Sequence, residues 1–279
     1  MTLSLDPILE SLGELPAQLT LVDAHQLSHQ YHPTFPPSAP ALIVNLNSQE
    51  IAAKVKLVLL TVYLPEHLVK LVSQDGASER IPLNEIDHNE AIAEGTSLYV
   101  PPLGENSSFE EFQELIAHLR APDGCPWDRE QTHLSLRRNL IEEVYEVLEA
   151  LDAGDPKAIQ EEFGDLMVQV LLHSQIANEA GEFRMADVLN GIITKLIARH
   201  PHVFGDLELS DANAVIANWE HLKADERKAK GEERGLLDGV AAVLPALSQA
   251  ETYQARVARV GFEWREIEGV LDKVAEEVQ

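Results

Sequence analysis

Two groups of acidic residues have the types and the spacing needed to bind a metal ion. Glu142, Glu143 and Glu146 lie in one amphipathic run, and Glu162 and Asp165 lie in the next. Side chains three or four residues apart share one face of a helix, so each run presents a pair of carboxylates. Hard divalent cations prefer oxygen ligands, and Mg²⁺ combines a few carboxylates with water and substrate phosphates. The spacing therefore predicts a Mg²⁺-dependent enzyme acting on a phosphorylated substrate.

The first acidic run has no basic residue within it, because neither Lys nor Arg occurs between Ile141 and Asp155. A solvated helix face usually alternates the sign of its charges at i,i+4 spacing. An exposed acidic surface is the alternative interpretation of the run. The lack of basic neighbours favours a bound cation, since something must offset the like charges.

Two consecutive helices are expected to position the carboxylates. Apolar residues recur at helical spacing over 133–153 and 156–180, and Gly154-Asp155-Pro156 separates the two segments. Asp155 is a suitable N-cap, and Pro156 suits the first helical position. The four carboxylates converge if these helices pack antiparallel. Further helices are predicted at 109–119, 185–199, 211–230, 240–259 and 265–279.

The first hundred residues have a different pattern. Short β-type runs, rich in β-branched residues, are bounded there by Pro, Gly, Asn and Asp. These runs are 42–46, 55–63, 68–72 and 97–100. The predicted fold class is therefore mainly α, with a helical bundle preceded by a small N-terminal α/β module.

The composition excludes several classes of partner. The 279 residues include 47 acidic and 21 basic side chains, for a formal net charge of −26. Such a charge disfavours binding to nucleic acid or to an anionic membrane. Cys125 is the single cysteine, and the first twelve residues contain no basic n-region of a signal peptide. We therefore expect a cytoplasmic protein that interacts with neither nucleic acid nor membrane.

Five segments resemble the MazG nucleoside triphosphate pyrophosphohydrolases. They cover much of 108–265 in the order found in that family. The resemblance implies an all-α bundle that is active as a homodimer, with Mg²⁺ as cofactor and Mn²⁺ as an alternative. It also implies hydrolysis of a nucleoside triphosphate to the monophosphate and pyrophosphate. The matching segments are 124–133, 140–148, 161–166, 195–204 and 260–264.

The resemblance also assigns roles to the acidic residues. The implied metal ligands are Glu143, Glu146, Glu162 and Asp165. Glu142 is expected to orient the cluster or the attacking water, which places Glu142, Glu143 and Glu146 in the catalytic group. A carboxylate that the metal does not fully use can accept the proton of the water.

The expected substrate ligands lie outside the acidic runs. Lys195 and Arg199, one helical turn apart, resemble the family's phosphate-binding pair. Trp127 could stack on a nucleobase or could anchor its own loop, and the sequence leaves both interpretations open. Lys223 lies on a charged helix. It could reach the substrate, but exposure to solvent is the simpler interpretation. His200, beside Pro201, is expected to cap a helix rather than to bind zinc.

The two ends of the chain suggest additional modules. Residues 1–105 resemble the C-terminal part of a tetrapyrrole methylase-like domain, although they lack its glycine-rich cofactor loop. Residues 106–265 form the predicted pyrophosphohydrolase domain. Residues 266–279 are either the stub of a second MazG-like module or a plain amphipathic helix.

The predicted function is Mg²⁺-dependent pyrophosphohydrolysis of nucleoside triphosphates for nucleotide-pool housekeeping. One alternative is a noncatalytic nucleotide-sensing or regulatory subunit with a residual site. Another is residual methylation by the first 105 residues, which would require those residues to bind S-adenosylmethionine.

Overall fold

The computed structural model describes residues 6–13, 16–209, 211–229, 231, 235–264 and 266–278. The chain divides into two compact units, Met1–Met185 and Ala186–Gln279. The described residues are mostly helical, and the first unit also contains one mixed five-stranded sheet. None of the described helices has both the length and the apolar character required to cross a bilayer.

The first unit begins with a mixed α/β segment. Its sheet has the strand order β1-β2-β5-β3-β4; β1 and β2 are parallel, whereas the other neighbours are antiparallel. The elements are α1 Asp6–Leu12, β1 Thr20–Asp23, α2 Ala24–Leu27, β2 Ala41–Val44, α3 Gln49–Leu59, β3 Leu68–Val72, β4 Ser78–Pro82, a 3₁₀ segment Leu83–His88 and β5 Ser97–Val100.

Strand β2 is buried on both faces of this sheet. Ile43 packs into the core that contains Val55 of α3, whereas Leu42 packs into a second core with Ile8 of α1. Successive side chains of a strand point to opposite faces, so one strand contributes to both cores. This explains why β2 is a continuous apolar run.

The predicted strand at 55–63 is wrong, because most of that run belongs to helix α3. Ser48 caps this helix by accepting a hydrogen bond from the Ile51 backbone N–H at 3.2 Å. Lys54 and Glu50 form an i,i+4 ion pair at 2.8 Å. The β-branched residues of the run are compatible with either structure, and burial of one helix face against the sheet decides between them.

The other predicted strands are confirmed with small changes. Residues 68–72 form β3 and 97–100 form β5, whereas β2 ends at Val44. Asn45 follows with a φ of 63°, which ends the extended backbone. Strands β1 and β4 were not predicted.

Helices follow the sheet in the first unit. They are α4 Phe109–Leu119, α5 Pro126–Glu130, α6 Arg137–Ala153 and α7 Pro156–Glu179, and α8 Met185–Arg199 begins at the last residue of this unit. A capping box begins α4, because Ser108 accepts from the Glu111 N–H while Glu111 accepts from the Ser108 N–H. The core among these helices includes Ile116, Leu136 and Leu171.

The helices predicted in the second unit are confirmed with shorter bounds. They are α10 Ala212–Ala229, α11 Ala246–Ala258 and α12 Ile267–Val278, and the short helix α9 Pro201–Phe204, which was not predicted, precedes them. Helix α11 starts six residues later than predicted, immediately after Pro245. Predicted helical positions 230, 265 and 279 lie outside the described residues. The module boundaries expected near 105 and 265 stay predictions.

Gly124 provides a test of packing in the turn after α4. A Cβ atom there would lie 2.2 Å from the His118 carbonyl oxygen, whereas one at Gly191 would meet nothing within 4 Å. We expect Gly124→Ala to lower the free energy of unfolding by about 1–3 kcal/mol, because the added methyl group would force the backbone at the end of α4 to move. Gly191→Ala, the control, should be neutral or stabilising by up to about 1 kcal/mol. Urea unfolding measures both values, and equal stability of the two variants would contradict this packing.

Candidate metal centre

The candidate metal centre depends on the pairing of α6 with α7. Helix α6 ends at Ala153, and Gly154 caps it with a left-handed φ of 66°. Asp155 then caps α7 by accepting from the Lys157 N–H at 3.0 Å, and Pro156 occupies the first turn. The two-residue connection makes the helices pack antiparallel, as the predicted convergence required.

The acidic side chains of the two helices meet at this seam. Carboxylate oxygens of Glu143, Glu146 and Glu162 all lie within 4.8 Å of one another. The negative charge of Asp165 also acts on Glu143 and Glu162. The structure therefore brings three of the four predicted metal ligands within 4.8 Å of one another, and the charge of the fourth, Asp165, acts on two of them.

Mutual repulsion makes the cluster electrostatically unfavourable without a cation. Burial raises the pKa of the Glu143 carboxyl, and the charges of Asp165, Glu146 and Glu162 raise this pKa further. Burial also raises the pKa of Glu162, with additional contributions from Glu146 and Asp165. An all-oxygen donor set in which like charges oppose one another fits a hard divalent ion.

Glu142 lies outside the group of three. Its carboxylate accepts a hydrogen bond from Arg138 Nε at 2.8 Å, in an exposed i,i+4 ion pair. This ion pair was not predicted from the sequence, although an Arg and a Glu at i,i+4 spacing on a helix commonly form one. The carboxylate predicted to orient the cluster or the water is therefore paired with Arg138 in this structure.

Arg120 holds the loop that contains Trp127. Its guanidinium donates to both carboxylate oxygens of Glu179 near the end of α7, through Nε at 2.9 Å and Nη2 at 2.7 Å. Its Nη1 atom donates to the carbonyl oxygens of Asp128 and Gln131. The Arg120 side chain is only 6% exposed, whereas its partner Glu179 is 37% exposed. The two-bond contact therefore fixes the guanidinium at the border between the interior and solvent.

The Trp127 side chain does not anchor this loop. It is 58% exposed, and Gln131 Nε2 donates to the Trp127 backbone carbonyl at 2.9 Å. The ring is therefore accessible for stacking, whereas Arg120 and Glu179 hold the backbone. Arg120 was not identified from the sequence, because its partner lies 59 residues away.

The predicted phosphate-binding pair lies in the second unit. Lys195 is exposed on α8, and Arg199 lies in the last turn of that helix. Arg199 donates to both carboxylate oxygens of Glu226 on α10, at 3.0 and 2.5 Å. Lys223 Nζ lies 4.1 Å from the centroid of the Trp219 ring. The expected cap is present at His200, whose Nδ1 bonds to the Leu196 carbonyl at 2.7 Å.

Comparison with known families adds independent information about α6 and α7. Residues 131–204 match the MazG nucleotide pyrophosphohydrolase domain. This MazG segment contains the three clustered carboxylates, Asp165, Lys195 and Arg199.

Relatives of the MazG segment bear matching names. The chain is 43% identical over 171 residues to a Thermotoga maritima protein named nucleoside triphosphate pyrophosphohydrolase/pyrophosphatase MazG, covering 61% of this chain and 65% of that protein. It is 42% identical over 165 residues to the nucleoside triphosphate pyrophosphohydrolase of Escherichia coli K12, covering 59% and 62%.

A longer alignment includes the N-terminal segment. The chain is 40% identical over 260 residues to the Bacillus subtilis protein YabN, covering 90% of this chain and 50% of YabN. The crystal structure of a mazG-related protein from Thermotoga maritima covers 41% of this chain and 98% of its own, with 27% identity and a TM-score of 0.36. The chain therefore spans between half and about two thirds of these three sequence relatives.

Repulsion within the cluster predicts an unusual stability change in a metal-free buffer. At pH 7 with chelator, Glu143→Gln should raise the Tm by roughly 1–4 °C, because it removes one of the opposed charges. Differential scanning calorimetry measures this change. Asp152→Asn removes a carboxylate from the same helix outside the cluster and should leave the Tm unchanged.

The same repulsion sets the sign of the pH dependence. A native pKa above its unfolded value gives stability at low pH that is lost as the pH rises through the native pKa. Metal-free wild type should therefore gain more Tm than Glu143→Gln on acidification from about pH 7 to about pH 5.5. Added Mg²⁺ should stabilise wild type more than the variant. Equal responses of the two proteins to both acid and Mg²⁺ would count against a cation site.

Proposed function

We propose that this protein hydrolyses nucleoside triphosphates to nucleoside monophosphates and pyrophosphate in a Mg²⁺-dependent reaction. The observation that carries this proposal is the convergence of Glu143, Glu146 and Glu162 within 4.8 Å, inside the segment that matches the MazG domain. The names of the relatives support the same reaction. Roles in nucleotide-pool housekeeping and in the cytoplasm stay predictions.

The proposed metal ligands are Glu143, Glu146, Glu162 and Asp165. A bound Mg²⁺ ion would neutralise phosphate charge and lower the pKa of a water molecule. The carboxylates would position that ion through oxygen atoms contributed by both helices. Mn²⁺ could replace Mg²⁺ because it also accepts oxygen ligands.

The chain's own residues would assist the displacement. A carboxylate oxygen of the cluster accepts one proton from the attacking water, with Glu142 orienting this group or the water. The water oxygen bonds to the α-phosphorus, as the MazG resemblance implies, and the bond from that phosphorus to the bridging oxygen breaks. The electron pair leaves with pyrophosphate. Lys195 and Arg199 are proposed to bind phosphate groups, and Trp127 is proposed to stack on the base.

The decisive experiment is pyrophosphate release from a mixture of nucleoside triphosphates, with Mg²⁺ and with chelator. We expect Mg²⁺-dependent release, and Glu146→Gln should reduce kcat/KM by about 100-fold or more, since a ligand of the proposed ion is lost. Asp152→Asn is the matched control and should retain activity. Calorimetric binding of nucleotide without turnover would instead favour the noncatalytic sensing function.

We also propose that the protein is a homodimer that uses the exposed apolar faces of α6 and α7. Val144, Leu148, Phe163 and Met167 are each between 42% and 48% exposed. Their spacing makes one stripe on each helix, and contiguous apolar patches of this kind mark association surfaces. A second copy would remove these stripes from water.

The dimer predicts a specific mass change. Wild type should elute with twice the chain mass in size-exclusion chromatography with light scattering. Leu148→Glu should shift the population to monomer, because a charge in an apolar interface is costly. Leu64→Glu is the control, because this leucine is 72% exposed and lies between α3 and β3 rather than on α6 or α7. A monomeric wild type would overturn the proposal.

The N-terminal resemblance to tetrapyrrole methylase-like domains also stays a proposal. The absence of a glycine-rich loop from residues 1–105 supports a structural role rather than methylation. Binding of S-adenosylmethionine to the full chain would contradict that structural role.

A further inference from the structure

Two histidines of the first unit join the segment before α6 to helix α7. His133 Nδ1 lies 2.7 Å from His173 Nδ1, although the residues are 40 positions apart in the sequence. The planes of the two rings differ by 4°, and their centroids are 5.0 Å apart. With the nitrogens in contact, this separation is reached only when the rings meet edge to edge in nearly one plane. The N–H and the lone pair of an imidazole lie in the ring plane, so the geometry is that of a hydrogen bond.

This hydrogen bond depends on the protonation of both rings. A neutral imidazole has one N–H and one lone pair, whereas a protonated imidazole has two N–H groups and no acceptor. Two neutral rings, or one neutral and one protonated ring, can share the bond. Two protonated rings cannot, because both Nδ1 atoms then carry a hydrogen and the two positive charges repel each other. The pair therefore tolerates one added proton but not two.

His173 is the ring that resists the second proton. It is partly buried, and its Nε2 atom has no hydrogen-bond partner among the described residues. Burial lowers the pKa of His173, and the charge of His133 lowers this pKa further. His133, in contrast, is 42% exposed, and its Nε2 lies 4.0 Å from Glu182 Oε2. A positive charge on His133 is thus in contact with water and near a carboxylate, whereas a second charge on His173 is not.

Other charged groups on the surrounding elements keep their charge over the pH range in which histidine titrates. Arg120 on α4 donates to the Gln131 carbonyl oxygen at 3.2 Å and forms an ion pair with Glu179 on α7. The hydrogen bond from Arg120 lowers the pKa of Glu179, so this carboxylate stays ionised. Arg137 at the start of α6 and Arg184 in the turn after α7 are exposed, and arginine is not deprotonated in proteins. Mild acid therefore acts mainly on the two histidines.

The His133–His173 bond connects the segment between α5 and α6 to α7. Hydrogen bonds within that segment are local, as in the bond from Ser135 Oγ to Gln131 Oε1 at 2.7 Å. Leu136 at its end is 1% exposed and packs in a core shared with α7. Loss of the histidine contact would thus free the segment around His133, while Leu136 keeps the start of α6 in place.

We propose that the His133–His173 pair is an acid-sensitive contact, which holds the segment before α6 against α7 at neutral pH and opens when both rings are protonated. This inference does not rest on the proposed function, and its tests measure no turnover.

The first test compares the pH dependence of Tm in wild type and His173→Asn by differential scanning calorimetry. The asparagine amide can bond to His133 from the position of Nδ1, but it is not protonated. A native pKa below the unfolded value of 6.5 gives stability that is present above that value and is lost as the pH falls toward the native pKa. On acidification from about pH 7.5 to about pH 5, wild type should therefore lose roughly 2–4 °C more than the variant.

Two features of this comparison isolate the histidine pair. The acidic cluster is the same in both proteins, so its opposite pH dependence cancels in the difference. His118→Asn, the control at an exposed histidine on α4, should follow wild type. The same pH dependence of Tm in wild type and His173→Asn would overturn the inference.

Nuclear magnetic resonance of the ring signals tests the coupling of the two histidines. The chain has 11 histidines, and the signals of these two are assigned by their loss in His133→Asn and His173→Asn. The titration midpoint of His173 should rise by about half a pH unit or more in His133→Asn, because a neighbouring positive charge is removed. An unchanged midpoint would refute the proposal, and this comparison decides even if His173→Asn does not fold.

Hydrogen exchange followed by mass spectrometry tests the release of the segment. At about pH 5, peptides from 131–135 should exchange at least about threefold faster in wild type than in His173→Asn, and at about pH 7.5 they should exchange equally. Comparing both proteins at one pH removes the effect of acid on the intrinsic exchange rate. Peptides from β2 are the control and should not differ. Equal exchange of 131–135 at both pH values would rule out an acid-opened contact.

Discussion

Three carboxylates lie within 4.8 Å of one another at the seam between α6 and α7, and the packing of these helices opposes their repulsion. Gly154, with its left-handed backbone, and the N-cap Asp155 form a two-residue connection that reverses the chain between α6 and α7. Apolar residues at other positions of α7, including Leu171 and Leu172, bury a core with α4. The free energy of that packing maintains a charge arrangement that is unfavourable by itself. A cation is the simplest way to offset the remaining cost.

Charged pairs with long sequence separation perform the remaining positioning in each unit. In the first unit, Arg120 connects α4 and the Trp127 loop to Glu179 near the end of α7. In the second unit, Glu226 on α10 holds Arg199 on α8. In both cases an arginine donates to two carboxylate oxygens, which restricts orientation more strongly than a single contact. The backbone around Trp127 and the side chain of Arg199 are thus held by carboxylates that lie far away in the sequence.

Local signals predicted the helices well and the sheet less well. The caps at Ser108 and Asp155 and the 3.6-residue periodicity are local, so α4, α7 and α8 were found close to their true bounds. The β-branched run around Val55 suits either a strand or a helix, and its helical state depends on burial against the sheet. Strand β1 escaped prediction because its partner β2 lies about twenty residues further along the chain. Strand β4 pairs with the neighbouring β3, but its sequence Ser-Glu-Arg-Ile-Pro is mostly polar and exposed and therefore lacks an apolar pattern.

The sequence by itself determined that acidic residues form pairs at helical spacing, because the helix repeat links spacing to a common face. It also carried the MazG resemblance, since motif order is a property of the chain. Only the tertiary structure decided that three carboxylates from two helices lie within 4.8 Å and that Glu226 is the partner of Arg199. Neither fact is encoded locally, because both depend on which helix faces meet when apolar side chains leave water.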